Sequence, residues 1–265
     1  MTKQTNRGTA LITGASSGLG AVYADRLARR GYDLILVARR QDRLATVAER
    51  LAAETGRNIE VFAADLSVRA DLLRIEQRLQ SDPSITMLVN NAGFGAATPL
   101  VDSDPDHLES MIQLNVIALT RLARAVAPAF VRRGTGAIVN IASIVALAPE
   151  LLNGTYSGTK AYVVNFTQSL HHELSTKGVQ VQAVLPGATR TEFWDVVGVP
   201  VHDLPKDIVM PAEEMVDAAL TGLDQRELIT IPSLANSSDW DALNQARLAL
   251  APNLSRSQAA DRYKH

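Results

Sequence analysis

Apolar residues in this chain fall into two alternating rhythms. Short runs rich in β-branched residues, "TALIT", "DLILVA", "IEVFAA", "TMLVN", "GAIVNIA", "VQVQAVL" and "ELITI", are near-continuously apolar, the pattern of strands covered on both faces. Between them apolar positions recur at helical spacing over Leu19–Arg30, Gln41–Glu54, Ala70–Gln80, Asp106–Val131, Tyr156–Ser175 and Ala212–Leu223. Strands alternating with crossover helices predict an α/β fold, a doubly wound parallel sheet of these seven strands in a single domain over residues 1–265. The rhythm breaks from Pro186 to Pro211, where "PG", "GVPVHDLP" and "MP" interrupt it. So long a punctuated stretch predicts a lid or binding loop over 188–211. After Ile231 a polar segment carries one more apolar pattern, Trp240–Leu250, and ends in "APNLSRSQAADRYKH". This predicts a C-terminal extension over 233–265, a frayed tail or an oligomer contact.

Composition narrows the partners. With 265 residues and 46% hydrophobic content the chain can fill a sizeable core. The formal net charge of -2, without long runs of one sign, gives no footprint for nucleic acid or an anionic membrane. Small, roughly neutral ligands fit better. The absence of cysteine excludes disulfides, thiolate chemistry and Cys-based zinc sites. The polar start "MTKQTNRG" is unlike a signal peptide, and no span near eighteen apolar residues is evident; a cytoplasmic protein is the expectation. His171–His172 and Asp102–Asp104 suggest no metal site, because adjacent histidines on a helix face different directions and no third ligand joins them.

The first chemistry lies in "TALITGASSGLGAVYADRLARRG", which sets Gly14, Gly18 and Gly20 between a strand and a helix. There the first glycine permits the tight turn and the helix start offers unpaired N–H groups to a phosphate. Ser16 and Ser17 can bond phosphate oxygens or the loop itself, and Leu19 belongs to the same loop. TGxxxGxG at 13–20, "NNAG" at 90–93, Ser143, YxxxK at 156–160 and "PG" at 186–187 occur together in one order. In this set the chain resembles the short-chain dehydrogenase/reductase family over roughly residues 8 to 232, in its short oxidoreductase form. The resemblance implies a Rossmann-type fold and hydride transfer with a nicotinamide cofactor.

Hydride transfer to a ketone leaves charge growing on the carbonyl oxygen, so the site needs an acid and an orienting donor. In the family the tyrosine is that acid, here Tyr156. On a helix, Lys160 lies one turn away on the same face. One cation about 4 Å from a phenol contributes about 4 kcal/mol at an effective dielectric near 20, and each pKa unit corresponds to about 1.4 kcal/mol. Lys160 is therefore expected to lower the Tyr156 pKa toward working pH. The resemblance adds that its ammonium holds the nicotinamide ribose, that Ser143 bonds the substrate carbonyl, and that Asn115 holds a water relaying protons to the lysine. It also implies cofactor contacts at Asp65 and Leu66, at Asn91, Ala92 and Gly93, and at Pro186, Gly187, Thr189 and Thr191, with Thr191 the better match. Taken alone, Ser143 and Asp65 also suit turn caps; Asn90 reads as a structural hydrogen-bonder.

Phe94, Ile144, Val145, Leu151, Leu152, Phe193 and Trp194 flank these positions and form, with Ser143, the expected pocket wall. Nearly all are apolar, which suits a small hydrophobic carbonyl or alcohol substrate, although several could merely close the core. Arg190 could add one charge. A 3-oxoacyl-carrier-protein reductase is the alternative and would favour a basic surface near the lid; a non-catalytic NADP-sensing regulator would not need the acid. The segments "MIQLNVIALTRLARAVAPAFV" and "AYVVNFTQSLHHEL" are apolar over more than one face and require burial on two sides. By resemblance they pair with their copies, giving a homodimer or homotetramer.

Cofactor choice rests on "LILVARRQDRL". NAD-preferring sites usually place a carboxylate at the end of the second strand. Here Ala38 is followed by Arg39 and Arg40, and a guanidinium fork suits a 2′-phosphate. NADP(H) is therefore expected, with Arg39 in direct contact. A solvated helix start is the competing reading of the two arginines.

Overall fold

The computed structural model describes residues 7–264, so most of the polar start and His265 lie outside the described residues. The chain divides into two compact units, Met1–Pro232 and Ser233–His265. The first unit begins with β1 (Thr9–Thr13), α1 (Gly18–Arg29), β2 (Asp33–Ala38), α2 (Gln41–Thr55), β3 (Ile59–Ala63), α3 (Arg69–Ser81) and β4 (Ile85–Asn90). It continues through α4 (Pro105–Ile112), a π-helical turn (Gln113–Ala118), α5 (Leu119–Arg133), β5 (Gly136–Ile141), α6 (Gly154–Leu174) and β6 (Val179–Val184). After the lid segment, β7 (Thr189–Arg190), α7 (Phe193–Val197), β8 (Met210–Pro211), α8 (Ala212–Asp224) and β9 (Ile229–Thr230) complete it. The second unit holds α9 (Ser237–Ala249) and 3₁₀ turns at Ala251–Asn253 and Asp261–Tyr263.

Seven strands form one sheet in the order β3-β2-β1-β4-β5-β6-β9, and every neighbour is parallel. The order reverses between β1 and β4, which opens a crevice at their carboxyl ends, the ligand site of doubly wound sheets. Tyr23, Leu27, Leu44, Leu51, Met215 and Leu220 cover one face, from α1, α2 and α8. Leu72, Ile75, Leu122, Val126, Phe130 and Leu170 cover the other, from α3, α5 and α6. Burial on both faces explains the unbroken apolar run of β1, all five residues of which are buried. β3 departs from that expectation and is half-buried throughout, because at the sheet edge it has β2 alone as neighbour. "ELITI" contracts to a two-residue β9, since only Ile229 and Thr230 pair with β6.

The helix expected over Asp106–Val131 runs longer and is not uniform. Asp104 caps its start by accepting from Asp106 N at 3.1 Å, Pro105 occupies the first turn, and the backbone widens to π-helical over Gln113–Ala118. Such widening inserts residues into an α-helix and is frequent at functional sites. By length and composition Pro105–Arg133 is also apolar enough to cross a membrane, which corrects the expectation that no such span exists. In the first unit its Leu122, Val126 and Phe130 belong to the core beneath the sheet. The lid is more ordered than a punctuated loop implies: β7 pairs with β8, and α7 and two 3₁₀ turns lie between them.

Polar side chains inside the first unit form a chain of partners, as burial demands. Asn90 Nδ2 donates to Asn140 Oδ1 at 3.0 Å, Asn140 Nδ2 to Thr167 Oγ1 at 3.0 Å, and Thr167 Oγ1 to Val163 O at 2.7 Å. This chain ties β4, β5 and α6 together. Asn140→Ala leaves the partners at both ends short of one bond and is expected to destabilise the chain by about 1–3 kcal/mol in urea unfolding. An unchanged midpoint and slope would show that the amide chain contributes nothing.

Candidate active site

The glycine loop follows from backbone geometry. Gly14 has φ 67°, a left-handed conformation that favours glycine. A Cβ on Gly20 would lie 2.2 Å from the Gly14 carbonyl oxygen, so α1 can start this close to β1 only with glycine there. Ser17, the residue before α1, makes no side-chain cap, which leaves amides of the first turn open to an anion. Thr13, absent from the expected site, braces this loop: its Oγ1 accepts from Asn91 N and Ala92 N, both at 3.0 Å. Asn91 Nδ2 in turn donates to Thr13 O at 2.9 Å and Gly14 O at 3.3 Å. The Asn91 side chain therefore holds the loop rather than facing a ligand. Thr191 lies across the crevice from Gly18, its Cβ 3.4 Å from where a Gly18 Cβ would stand.

Other positions expected at the cofactor are committed locally. Asp65 Oδ1 accepts from Ser67 N at 2.9 Å and from the Ser67 hydroxyl, so its carboxylate caps the turn after β3. The Leu66 side chain is buried in the core, leaving only its backbone for a ligand. Thr189 Oγ1 donates to Gly187 O at 3.0 Å. Pro186 supplies a carbonyl that accepts from Ile144 N at 3.0 Å and from Ser143 Oγ at 3.4 Å. Leu19 is part of the core face around α1. Beyond β2, Arg39 is exposed and, among the described residues, its guanidinium has no hydrogen bond or ion pair. Arg40 reaches Ser17 Oγ at 3.4 Å.

The four expected catalytic side chains converge at the carboxyl ends of β4 and β5. Asn153 caps α6, accepting from Thr155 N at 2.8 Å and Tyr156 N at 3.4 Å. Its Nδ2 donates to Thr98 O at 2.6 Å, fastening the tyrosine-bearing turn to the loop after β4. Sequence reasoning missed this residue, although asparagine immediately before a helical run is a recognisable cap signal. Asn115, 1% exposed, lies on the π-helical turn; its Nδ2 donates to Phe94 O at 2.8 Å and Thr159 Oγ1 at 3.1 Å, and its Oδ1 accepts from Phe94 N at 3.1 Å. Gly93 sits between Asn115 and Lys160: a Cβ there would be 2.8 Å from Asn115 Oδ1 and 3.6 Å from Lys160 Nζ. Ser143, extended after β5, caps the 3₁₀ turn Ile144–Ala146 through a long 3.4 Å bond from Val145 N.

The electrostatics differ from the expectation. Tyr156 is 5% exposed, and burial pushes its phenol well above the ordinary value, with a hydrogen bond to Ser143 drawing it back only in part. Lys160 does not lower it. Its Nζ donates to Ile141 O at 2.9 Å and stands 5.8 Å from the centre of the tyrosine ring. Burial also pulls the ammonium itself down to about 8. Desolvation thus outweighs the Coulombic attraction that the four-residue spacing suggested.

Tyr156 packs with Ala96, Met111 and Val145, and Phe94, Leu152 and Phe193 close around them. Three expected wall positions fall outside this cluster. Leu151 is 56% exposed, Ile144 lies on the turn beyond Ser143, and Trp194 is buried with its indole N–H on Thr189 O at 2.9 Å. Trp194 anchors the lid, and Phe193 beside it presents its ring 5.8 Å from that of Tyr156.

A family model described as short chain dehydrogenase matches residues 8–198. The chain belongs to that family. It is therefore an oxidoreductase. Among solved structures, it is similar to a short-chain dehydrogenase from Sphingobium yanoikuyae in complex with NADPH, with 53% identity over 97% of this chain and 100% of that one and a TM-score of 0.94. A bulky-bulky ketone specific alcohol dehydrogenase from Comamonas testosteroni shows 47% identity over 98% and 100%, with a TM-score of 0.91. Among curated relatives, the very-long-chain 3-oxoacyl-CoA reductase of Anas platyrhynchos is 35% identical over 69% of this chain; the match spans only 60% of that relative's length.

Gly95 sets the contact between lid and tyrosine. A Cβ there would lie 2.7 Å from Phe193 Cζ and 3.2 Å from Tyr156 Cε2. Gly95→Ala is expected to push Phe193 off the tyrosine and lower kcat by about tenfold or more, as ångström-scale misplacement does. Adding Phe193→Ala should recover part of that loss. A Gly95→Ala enzyme as fast as its parent in steady-state assays would contradict the notch.

Proposed function

We propose that this dehydrogenase is an NADP(H)-dependent carbonyl reductase that acts, reversibly, on bulky apolar ketones or aldehydes and their secondary alcohols. The observation that carries this reading is a buried neutral phenol, Tyr156, at the floor of an apolar wall with the Ser143 hydroxyl beside it. The residues present suit the cofactor: an uncapped α1 start, a glycine loop that permits close approach, and after β2 an Arg39 without an ion pair among the described residues. When bound, NADPH supplies the hydride.

The chain's own groups then divide the remaining chemistry. Burial keeps Tyr156 protonated, so it donates its proton to the oxygen on which charge develops. Ser143 provides a second donor to the same oxygen, and the long bond it donates to Pro186 O is readily exchanged for a better acceptor. Lys160 receives replacement protons, and the Asn115 amide fixes the loop and helix that enclose it. In the alcohol-oxidising direction the phenol must first lose its proton, which the same burial opposes.

Substrate size is read from the surroundings. Leu100, Val101, Leu151 and Val196, near the wall residues in sequence, are exposed apolar side chains, which supports a large hydrophobic substrate. The ketone specificity of the Comamonas testosteroni relative supports this reading. A 3-oxoacyl thioester is the second reading, supported by the reductase relatives. Against a phosphopantetheine carrier, residues 188–211 hold Arg190 and Lys206 but also Glu192, Asp195, Asp203 and Asp207, which is no basic surface. The proposal includes a cytoplasmic setting and a twofold assembly. The latter is supported by exposed Ile112, Ile117 and Tyr162 on α4, the π-helical turn and α6.

NADPH oxidation should proceed with higher kcat/KM on bulky apolar ketones than on 3-oxoacyl thioesters, and Tyr156→Phe should cut kcat by about two to four decades with NADPH affinity retained. A Phe variant above a tenth of the parental rate, with chemistry rate-limiting, would remove Tyr156 from the mechanism. For assembly, light scattering at micromolar concentration should give a mass of two or four chains, reduced by Ile117→Lys; a monomeric parent would refute the twofold surface.

A further inference from the structure

Three arginines, Arg39, Arg40 and Arg43, stand where β2 passes into α2, and one carboxylate pairs with the last two. Arg43 Nη1 donates to both oxygens of Glu192, at 3.0 and 2.8 Å. Arg40 Nη2 lies 3.5 Å from Glu192 Oε2 and also reaches Ser17 Oγ of the glycine loop. Desolvation acts to raise the Glu192 carboxyl, yet the hydrogen bond and charge of Arg43, then of Arg40, hold it below its usual value. Glu192 follows Thr191, which faces Gly18, and precedes Phe193, which rests against Tyr156. The carboxylate thus sits on the segment joining the phosphate loop to the reacting phenol, far in sequence from the arginines it occupies.

Three guanidiniums and one carboxylate leave two positive charges here, and a phosphate monoester carries about −1.5 to −2 at pH 7. Both anions take the same guanidinium fork. We propose that Glu192 is a built-in stand-in for the 2′-phosphate of NADP(H), and that Arg43 is a third phosphate-site residue, freed when the phosphate displaces that carboxylate. A cofactor lacking the phosphate leaves the Glu192 pair closed. Discrimination between the two cofactors is then set by the balance between Glu192 and the phosphate as well as by Arg39.

This rests on the NADP(H) reading, and a calorimetric binding experiment separates the two. The probes are 2′,5′-ADP and 5′-AMP, titrated into the full chain. The parent should prefer 2′,5′-ADP, and Arg39→Ala should lose most of that preference; a parent without preference would sink the NADP(H) reading itself. Glu192→Gln keeps the shape, removes the charge, and should tighten 2′,5′-ADP by about two- to fivefold, the range of an exposed ion pair, with 5′-AMP unchanged. Arg43→Ala should weaken 2′,5′-ADP alone. Unaltered or weaker 2′,5′-ADP binding by Glu192→Gln would overturn the stand-in, as would equal tightening of both probes, which a general change of field produces. Thermal unfolding of each variant identifies any that fails to fold, and Glu192→Asp, which retains the charge, should bind 2′,5′-ADP no more tightly than the parent.

Discussion

An ammonium taken out of water costs several kcal/mol unless its protons are received, and that constraint organises the catalytic end of this protein. Lys160 is 6% exposed, and the Ile141 carbonyl at the end of β5 receives it. Because Lys160 rides on α6 and Ile141 on β5, one hydrogen bond fixes helix against sheet where Tyr156 and Ser143 must meet. The same burial that demands the bond also draws the lysine to about 8. Structural need and the proposed proton exchange coincide in one group.

Around it, Asn115 and the glycine loop are positioned by partners from different segments. Asn115 is held by the loop after β4 and by Thr159 of α6, and the glycine loop by Thr13 and Asn91. The π-helical turn fits this scheme. It breaks the α-helical register at Asn115, letting that amide face the loop while the flanking turns keep their apolar sides in the core. Rigid support from several elements is what a site needs to hold donors in place before charge develops.

The segment from Thr189 to Trp194 joins the arginines beyond β2 to the wall around Tyr156. Trp194 is anchored through Thr189 O, Phe193 forms part of the wall around Tyr156, and Glu192 engages the arginines beyond β2. A change of partner at Glu192 is therefore one residue from the substrate pocket. The proposed phosphate site and the wall around Tyr156 thus share a short stretch of backbone.

The seven strands, most helix limits and the glycine loop were legible in the sequence because they depend on local facts, apolar period and backbone freedom at Gly14; a four-residue helical spacing likewise nominated Tyr156 and Lys160 among the residues proposed for catalysis. The π-helical turn was not legible, since "MIQLNVIAL" is apolar enough for an ordinary helix. Nor were the committed side chains of Asn91 and Trp194, each captured by a nearby group that residue type alone does not reveal; the Asp65 turn cap was one of its two sequence readings. Two outcomes belonged to tertiary structure entirely. Spacing put Lys160 beside Tyr156 and suggested a lowered phenol, but the sign of that shift was decided by how much water the packed wall removes. Glu192 meets Arg43 across 149 positions of chain, a juxtaposition that only the folding of β6 and β2 into one sheet creates. Sequence determines which groups are available; burial and long-range packing decide which charge each one faces.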